Sequence, residues 1–216
     1  NANYAWILHM VSKLSENGVA GFILSNGAVG GSGDEQKIRK KLIENDLVEA
    51  IIVLPRNLFY TTDISVTLWI INKNKKERTV KLDGTIKNYR NREKEILFMD
   101  LRELGEPFEK KFLHFTDDEI TKIAKDYHHW QDDNWKETYK DTPEYCYNAN
   151  FENVKSKKFS LAPSNYIKFI NRDENVDFDE KMKSLQLEFS KLLNNEETSK
   201  TGILKVFKEL DYEIKL

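Results

Sequence analysis

Val48-Glu49-Ala50-Ile51-Ile52-Val53-Leu54-Pro55 is the stretch whose reading decides the fold. It is of strand length, far short of the roughly 18 to 20 apolar residues a membrane span needs, and a proline closes it. A strand wetted on one face alternates apolar with polar. This one scarcely alternates, so it must be covered on both faces, the situation of strands lying between helical layers. Working outward, the spacing predicts a helix on its N-terminal side with Ile38, Leu42 and Ile43 as the buried stripe. Ser32 and Glu35 stand at capping-box spacing at its start. Before it lie a loop over 25–33, a strand over 19–24 and a helix over 4–16 that carries Tyr4, Ile7, Leu8, Val11 and Leu14 at helical intervals. On the C-terminal side comes a strand over 65–72. Alternation of helix and strand argues for an α/β chain with a mostly parallel sheet.

Beyond residue 72 the composition changes. Residues 73–94 carry nine Lys and Arg against three Asp and Glu, a local excess of six, and should form a loop or hairpin. A strand over 95–99 resumes the core. A helix follows with Thr116 and Glu119 in capping-box positions and with Ile120, Ile123 and Tyr127 inward. From 128 to 164 regularity fades into an irregular wrap. In the tail, Phe178, Met182, Leu185, Phe189 and Leu192 step by four and three, and Ile203, Phe207 and Leu210 repeat the step after a polar break at 194–200. That spacing predicts a helical hairpin or two helices seeking a partner. The divisions expected are 1–100, 101–176 and 177–216.

The 216 residues are 32% charged yet balance to −2, so the chain is not a polyelectrolyte that coats DNA, and any nucleic-acid surface must be local. The single cysteine, Cys146, excludes an intramolecular disulfide framework and fits a reducing compartment; a cytoplasmic location without membrane attachment is the expectation. Asn1-Ala2-Asn3 leads straight into a helical pattern, as in a fragment of something longer.

Several groups invite chemistry. The glycine-rich loop over 27–33 sits between strand and helix, where phosphates are cradled, but it lacks Gly-x-Gly-x-x-Gly spacing, and Pro55 and Arg56, not an acid, end the next strand. A surface loop is the expectation. Lys73, Lys75, Lys76 and Arg78 open the basic stretch and are candidates for phosphate contact; a solvated hairpin accounts for them as well. His128 and His129, with Asp126, Asp132 and Asp133, lack the spacing of a metal site, so no metal is expected. Cys146 has no base beside it in sequence.

Three stretches together resemble one family. Gly18-Val-Ala-Gly-Phe-Ile-Leu-Ser-Asn-Gly27, followed by Lys37-Ile-Arg-Lys-Lys-Leu-Ile43, is similar to the strand, Pro-Asn-Gly turn and Ile-Arg-Lys helix of type I restriction-modification methyltransferase subunits, with Ser25 where proline is usual. Ala50-Ile-Ile-Val-Leu-Pro-Arg-Asn-Leu-Phe-Tyr-Thr-Thr-Asp-Ile64 resembles their Ile-Ile-x-Leu-Pro-x-Asn-Leu-Phe-Tyr stretch. Phe159-Ser-Leu-Ala-Pro-Ser-Asn-Tyr166 looks like their Leu-Thr-Pro-x-Arg-Tyr box, with Asn165 in place of arginine.

The resemblance implies the C-terminal portion of an N6-adenine DNA methyltransferase: a partial Rossmann-like methyltransferase sheet, then the wrap and C-terminal helices. It implies S-adenosylmethionine bound mainly by an upstream part, and no catalytic residue here, because the four prolines at 55, 107, 143 and 163 include no Pro-Pro pair. By itself the chain is then expected to be inactive. DNA, a specificity subunit met through the C-terminal helices, a second modification subunit and a restriction subunit are the implied partners. An aromatic of the second stretch would stack on the flipped target base; Phe59 matches best and Tyr60 second, while Phe59 could equally plug the sheet edge. Two other readings stay open: a non-catalytic module that binds protein or nucleic acid, and a nucleotide-binding protein that uses the loop over 27–33.

Overall fold

A computed structural model describes residues 2–82, 84–170, 177–210 and 212. The chain forms two compact units, Asn1–Phe169 and Ile170–Leu216. In the first, helix α1 (Asn3–Lys13), strand β1 (Val19–Ser25), a single turn α2 (Gly27–Gly30), helix α3 (Asp34–Glu44) and strands β2 (Val48–Val53) and β3 (Val66–Asn72) follow in order. A hairpin comes next, β4 (Arg78–Leu82) with β5 (Thr85–Tyr89), then strand β6 (Glu95–Asp100) and a short hairpin, β7 (Glu106–Phe108) with β8 (Phe112–His114). Helix α4 (Asp117–Gln131), a turn α5 (Trp135–Thr138), strand β9 (Cys146–Asn150), helix α6 (Phe151–Ser156) and a 3-10 turn (Pro163–Asn165) complete it.

The sheet runs β1-β3-β2-β6-β9. Every residue of β2 is buried, as its nearly unbroken apolar run requires, and its one charged residue, Glu49, is paired with Arg92. Ile51 and Phe98 point into one core with Tyr4, Ile7, Leu42 and Trp69; Ala50, Ile52, Leu97 and Met99 point into the other with Trp130 and Cys146. Helices on both sides make this an α/β chain. The expected mostly parallel pairing is corrected: β2 and β6 run parallel, but β1 with β3, β3 with β2 and β6 with β9 are antiparallel. Double burial is compatible with either direction. The connection from β2 to β3 holds no helix, and a strand returning through a loop alone must lie antiparallel to the one it left.

The irregular wrap expected over 128–164 is also corrected, since it contains the edge strand β9. Only Cys146 and Ala149 of that strand are buried, and Asn148 is used as a polar joint, accepting from Trp130 Nε1 at 3.0 Å and donating to Glu95 at 2.8 Å. Helix α3 begins at a Gly33 cap with φ +68° and no side-chain cap, so the Ser32–Glu35 box does not form. The Thr116–Glu119 box does: Glu119 N donates to Thr116 Oγ1 at 3.2 Å and Thr116 N to Glu119 Oε2 at 2.9 Å. Gly105 N donates to the other carboxylate oxygen. These backbone donors hold the Glu119 carboxyl below its usual range, so its stabilising contribution, present at neutral pH, is lost as pH falls through that depressed value. Thr116→Ala should lower the stability of the first unit by about 1 kcal/mol, read as a lower urea midpoint at unchanged slope.

In the second unit the tail is one helix, α7 (Phe178–Glu209), not two. The polar break at 194–200 holds neither Gly nor Pro, so nothing in it stops a helix. The stepping continues in register through it. Glu196 and Ser199 take the positions between Leu192 and the later apolar residues Ile203, Val206 and Leu210.

Candidate functional site

The chain leaves β2 through buried Leu54 and Pro55 and turns at Asn57, whose φ is +59°. Ser65 Oγ donates to Leu54 O at 2.6 Å, and Arg56 Nε to Asp63 O at 3.3 Å, closing the loop that carries the Leu58-Phe59-Tyr60 sequence. Phe59 is half-buried, its ring packed against the second core beside Leu58. Tyr60 is 69% exposed. Its ring meets Phe112 edge-on, centroids 4.8 Å apart at 70°. The β7–β8 hairpin that carries Phe112 is tied to the loop by Leu113 N donating to Asn57 O at 3.0 Å.

Between them lies a cleft of about 280 Å³, lined by Leu58, Tyr60, Phe108, Phe112, His114 and Ile120 among others. It opens past the carboxyl ends of the parallel pair β2 and β6, where α/β sheets hold ligands. That volume falls just under the roughly 300 Å³ at which pockets for drug-sized molecules begin. The cleft therefore suits one flat ring better than a whole cofactor. Phe108, Phe112 and Phe115 were not singled out from sequence; two phenylalanines flanking Glu109-Lys110-Lys111 directly before a helix cap were the signal available.

The basic stretch divides. Lys75 is 2% exposed, and its ammonium donates to Asp46 at 2.6 Å, Val48 O at 3.1 Å and Glu95 O at 2.6 Å. A buried ammonium with all three N–H groups taken cannot meet phosphate, and this corrects its candidacy. Burial lowers its pKa, offset in part by Asp46. Arg90 and Arg92 also turn inward, onto Glu95 and Glu49. Lys73 is exposed but donates to Leu14 O at the end of α1. Lys76 is exposed, and Arg78 is half-buried over the Tyr89 ring at 5.2 Å.

The glycine-rich loop lies at the surface, with Gly27, Gly30, Ser32 and Gly33 exposed, but it is anchored to the core. Its turn α2 buries Ala28 and Val29; Tyr4 Oη donates to Ala28 O, Leu161 N to Val29 O and Arg39 Nη2 to Gly31 O. Arg39 Nε also donates to Phe159 O, and Tyr166 stacks on Phe98 at 4.1 Å, so the loop and the 159–166 segment are one packed block. With Ala28 and Val29 in the core and the carbonyls of Ala28, Val29 and Gly31 engaged, the loop is a packed turn without the Gly-x-Gly-x-x-Gly cradle of a nucleotide site. Asp100, at the end of β6, is taken by a forked contact from Arg102 Nε and Nη2. His128 Nδ1 lies 2.8 Å from Lys87 Nζ, and His129 Nδ1 lies 3.1 Å from Thr138 O. Burial pushes the Cys146 thiol up, away from the reactive thiolate.

Comparison with known proteins identifies this block. A family model of N-6 DNA methylases matches residues 1–175. The chain is 36% identical over 187 residues to the type I restriction enzyme HindI methylase subunit of Haemophilus influenzae, an alignment covering 86% of this chain and 38% of that protein. It is 29% identical over 212 residues to the MjaIX methylase subunit of Methanocaldococcus jannaschii, covering 98% and 36%. The crystal structure of a type I restriction-modification methyltransferase subunit from Streptococcus thermophilus superposes with a TM-score of 0.62 at 26% identity, over 78% of this chain and 31% of that one. The chain thus spans a little over a third of the length of the curated relatives it matches. By the match over residues 1–175 and by the fold of its first unit, the chain belongs to the N-6 DNA methylase family.

Proposed function

We propose that this chain forms the base-pocket rim and the docking helix of a site-specific DNA adenine-N6 methyltransferase subunit. Adenine inside a stacked duplex is out of reach of any active site, so the target base must be swung out and caught. The observation that carries this reading is the exposed Tyr60 ring at the mouth of an aromatic cleft beside the ends of β2 and β6. Tyr60 is the stacking face; Phe59, half-buried beneath the same loop, anchors it to the core. S-adenosylmethionine supplies the methyl group and is held by other parts of the subunit, a reading supported by the packing of Ala28 and Val29 into the core. The Asn-Pro-Pro-aromatic motif with which the resembled methyltransferases accept hydrogen bonds from the adenine amine does not occur here, so those groups also lie outside these residues, and the 216 residues alone transfer no methyl group.

Helix α7 is roughly 48 Å long at 1.5 Å per residue and carries an apolar stripe, Phe178, Met182, Leu185, Phe189 and Leu192, that is exposed among the described residues. It docks the specificity subunit of a type I complex in the cytoplasm, alongside a second modification subunit and the restriction subunit. Lys76, with Lys73 and Arg78 at its sides, contacts DNA phosphate.

The test is transfer of labelled methyl from S-adenosylmethionine to duplex DNA by the full-length subunit assembled with its specificity subunit. N6-methyladenine at one defined sequence from the assembly, and none from the 216 residues alone, is expected. An assembly that forms but leaves no N6-methyladenine would instead favour a non-catalytic interaction module, the reading that α7 alone would support.

A further inference from the structure

Tyr60 stands on a loop with little to hold its ring. It is largely exposed, and a phenol in that position samples several rotamers unless a neighbour selects one. Its ring neighbour is Phe112, which presents itself edge-to-face at 4.8 Å, the arrangement aromatic quadrupoles favour. Phe112 is half-buried and belongs to a hairpin with three residues per strand, too short to be stable alone. The hairpin is nevertheless tied to its surroundings at two points and braced once within itself. Leu113 N donates to Asn57 O, Gly105 N donates to the capping carboxylate of α4, and the Phe108 ring meets His114 at 5.5 Å. Gly105 makes the entry possible with φ +98°; a Cβ there would come within 3.4 Å of His114 O. The hairpin is built onto the Tyr60 loop and onto α4 together, and Phe112 is the side chain through which it reaches the ring.

We infer that Phe112 is a positioning residue for base capture, holding the Tyr60 ring in the rotamer that receives the flipped adenine. The inference rests on the base-pocket reading given above and adds to it a residue outside the Leu58-Phe59-Tyr60 sequence. Phe112 acts through Tyr60 and does not touch the reacting atoms. An aliphatic residue of similar bulk would fill the space but lack the ring edge, so it would leave Tyr60 free to rotate.

The experiment uses the full-length subunit with its specificity subunit, reading base capture on a duplex with 2-aminopurine replacing the adenine that the complex methylates, and kcat and KM on the unmodified adenine duplex. In wild type the extruded base is quenched by stacking on Tyr60. Phe112→Leu should raise its emission at saturating protein and lower kcat by roughly tenfold, the order of one aromatic–base stack. KM for DNA should stay within about twofold, because phosphate contacts dominate affinity. Phe112→Tyr, which keeps the ring edge, should restore both. A filler role would be met equally by leucine, so wild-type emission and kcat in Phe112→Leu, with both changed in Tyr60→Ala, would overturn the inference and leave the pocket reading intact. If Tyr60→Ala is silent as well, the pocket reading fails and the inference with it.

Discussion

Arg92→Ala is expected to lower the stability of the first unit by about 3–5 kcal/mol, as breaking one side of a buried ion pair does. Arg92 and Glu49 are both fully buried and meet at 3.0 Å. Glu49 is also the acceptor for Gln131 Nε2 at 3.1 Å and Asn72 Nδ2 at 2.6 Å, while Arg92 Nη1 donates to Arg90 O at 2.9 Å. Removing the guanidinium strands a carboxylate at the heart of β2 among groups that cannot replace its charge. Against a total of about 5–15 kcal/mol for a domain, the loss takes a large share, and the variant should unfold at much lower urea. Glu49→Leu combined with Arg92→Met should recover most of it, because an apolar pair of similar volume leaves no charge unpaired. A loss below about 1 kcal/mol in Arg92→Ala would show that the pair is not buried as described. The knot also has a local consequence. Lys75 enters the β4–β5 hairpin and Arg92 leaves it, so both ends of the basic stretch are pinned to the core and its exposed part is held at a fixed place.

Tyr60→Ala in the full-length subunit should reduce methyl transfer about ten- to a hundredfold, since an aromatic platform contributes about 1–3 kcal/mol per stacked base and each 1.36 kcal/mol is tenfold in rate. Tyr60→Phe should retain most activity, because the face and not the hydroxyl does the stacking. Stability should hardly move, the side chain being mostly exposed. Phe59→Ala should behave in the opposite proportion. Its ring is packed on the second core with Leu58, so thermal unfolding should come earlier. Equal loss of activity in both variants with no loss of stability in Phe59→Ala would show that Phe59 is not the anchor.

How much of this was legible in the sequence can be argued residue by residue. β2 is legible because double burial leaves an apolar run broken only by Glu49. The cap of α4 did so because Thr116 and Glu119 are chemically committed to backbone donors at that spacing. Strand direction was hidden, since apolar runs report burial and not the partner's polarity. β9 was hidden because Asn148 and Asn150 read as turn residues, whereas Asn148 joins Trp130 to Glu95. Lys75, Arg90 and Arg92 looked like a solvated charge run; their partners Asp46, Glu95 and Glu49 are distant or unremarkable in sequence, and only folding pairs them. The single tail helix is hidden in the sequence because polarity at 194–200 resembles a break, although the four-and-three step runs on through Glu196 and Ser199. At the candidate site, Phe59 and Tyr60 were visible through a family resemblance. Their unequal exposure, and Phe112 beside Tyr60, needed three dimensions.

The most direct test of the base-pocket claim is photo-crosslinking. A duplex with 5-iodouracil at the position of the methylated adenine is bound to the full-length subunit and its specificity subunit, irradiated, and the adduct mapped by mass spectrometry. The adduct is expected on Tyr60, within the peptide spanning 57–63. An adduct confined to a residue outside the aromatic cleft would contradict the account.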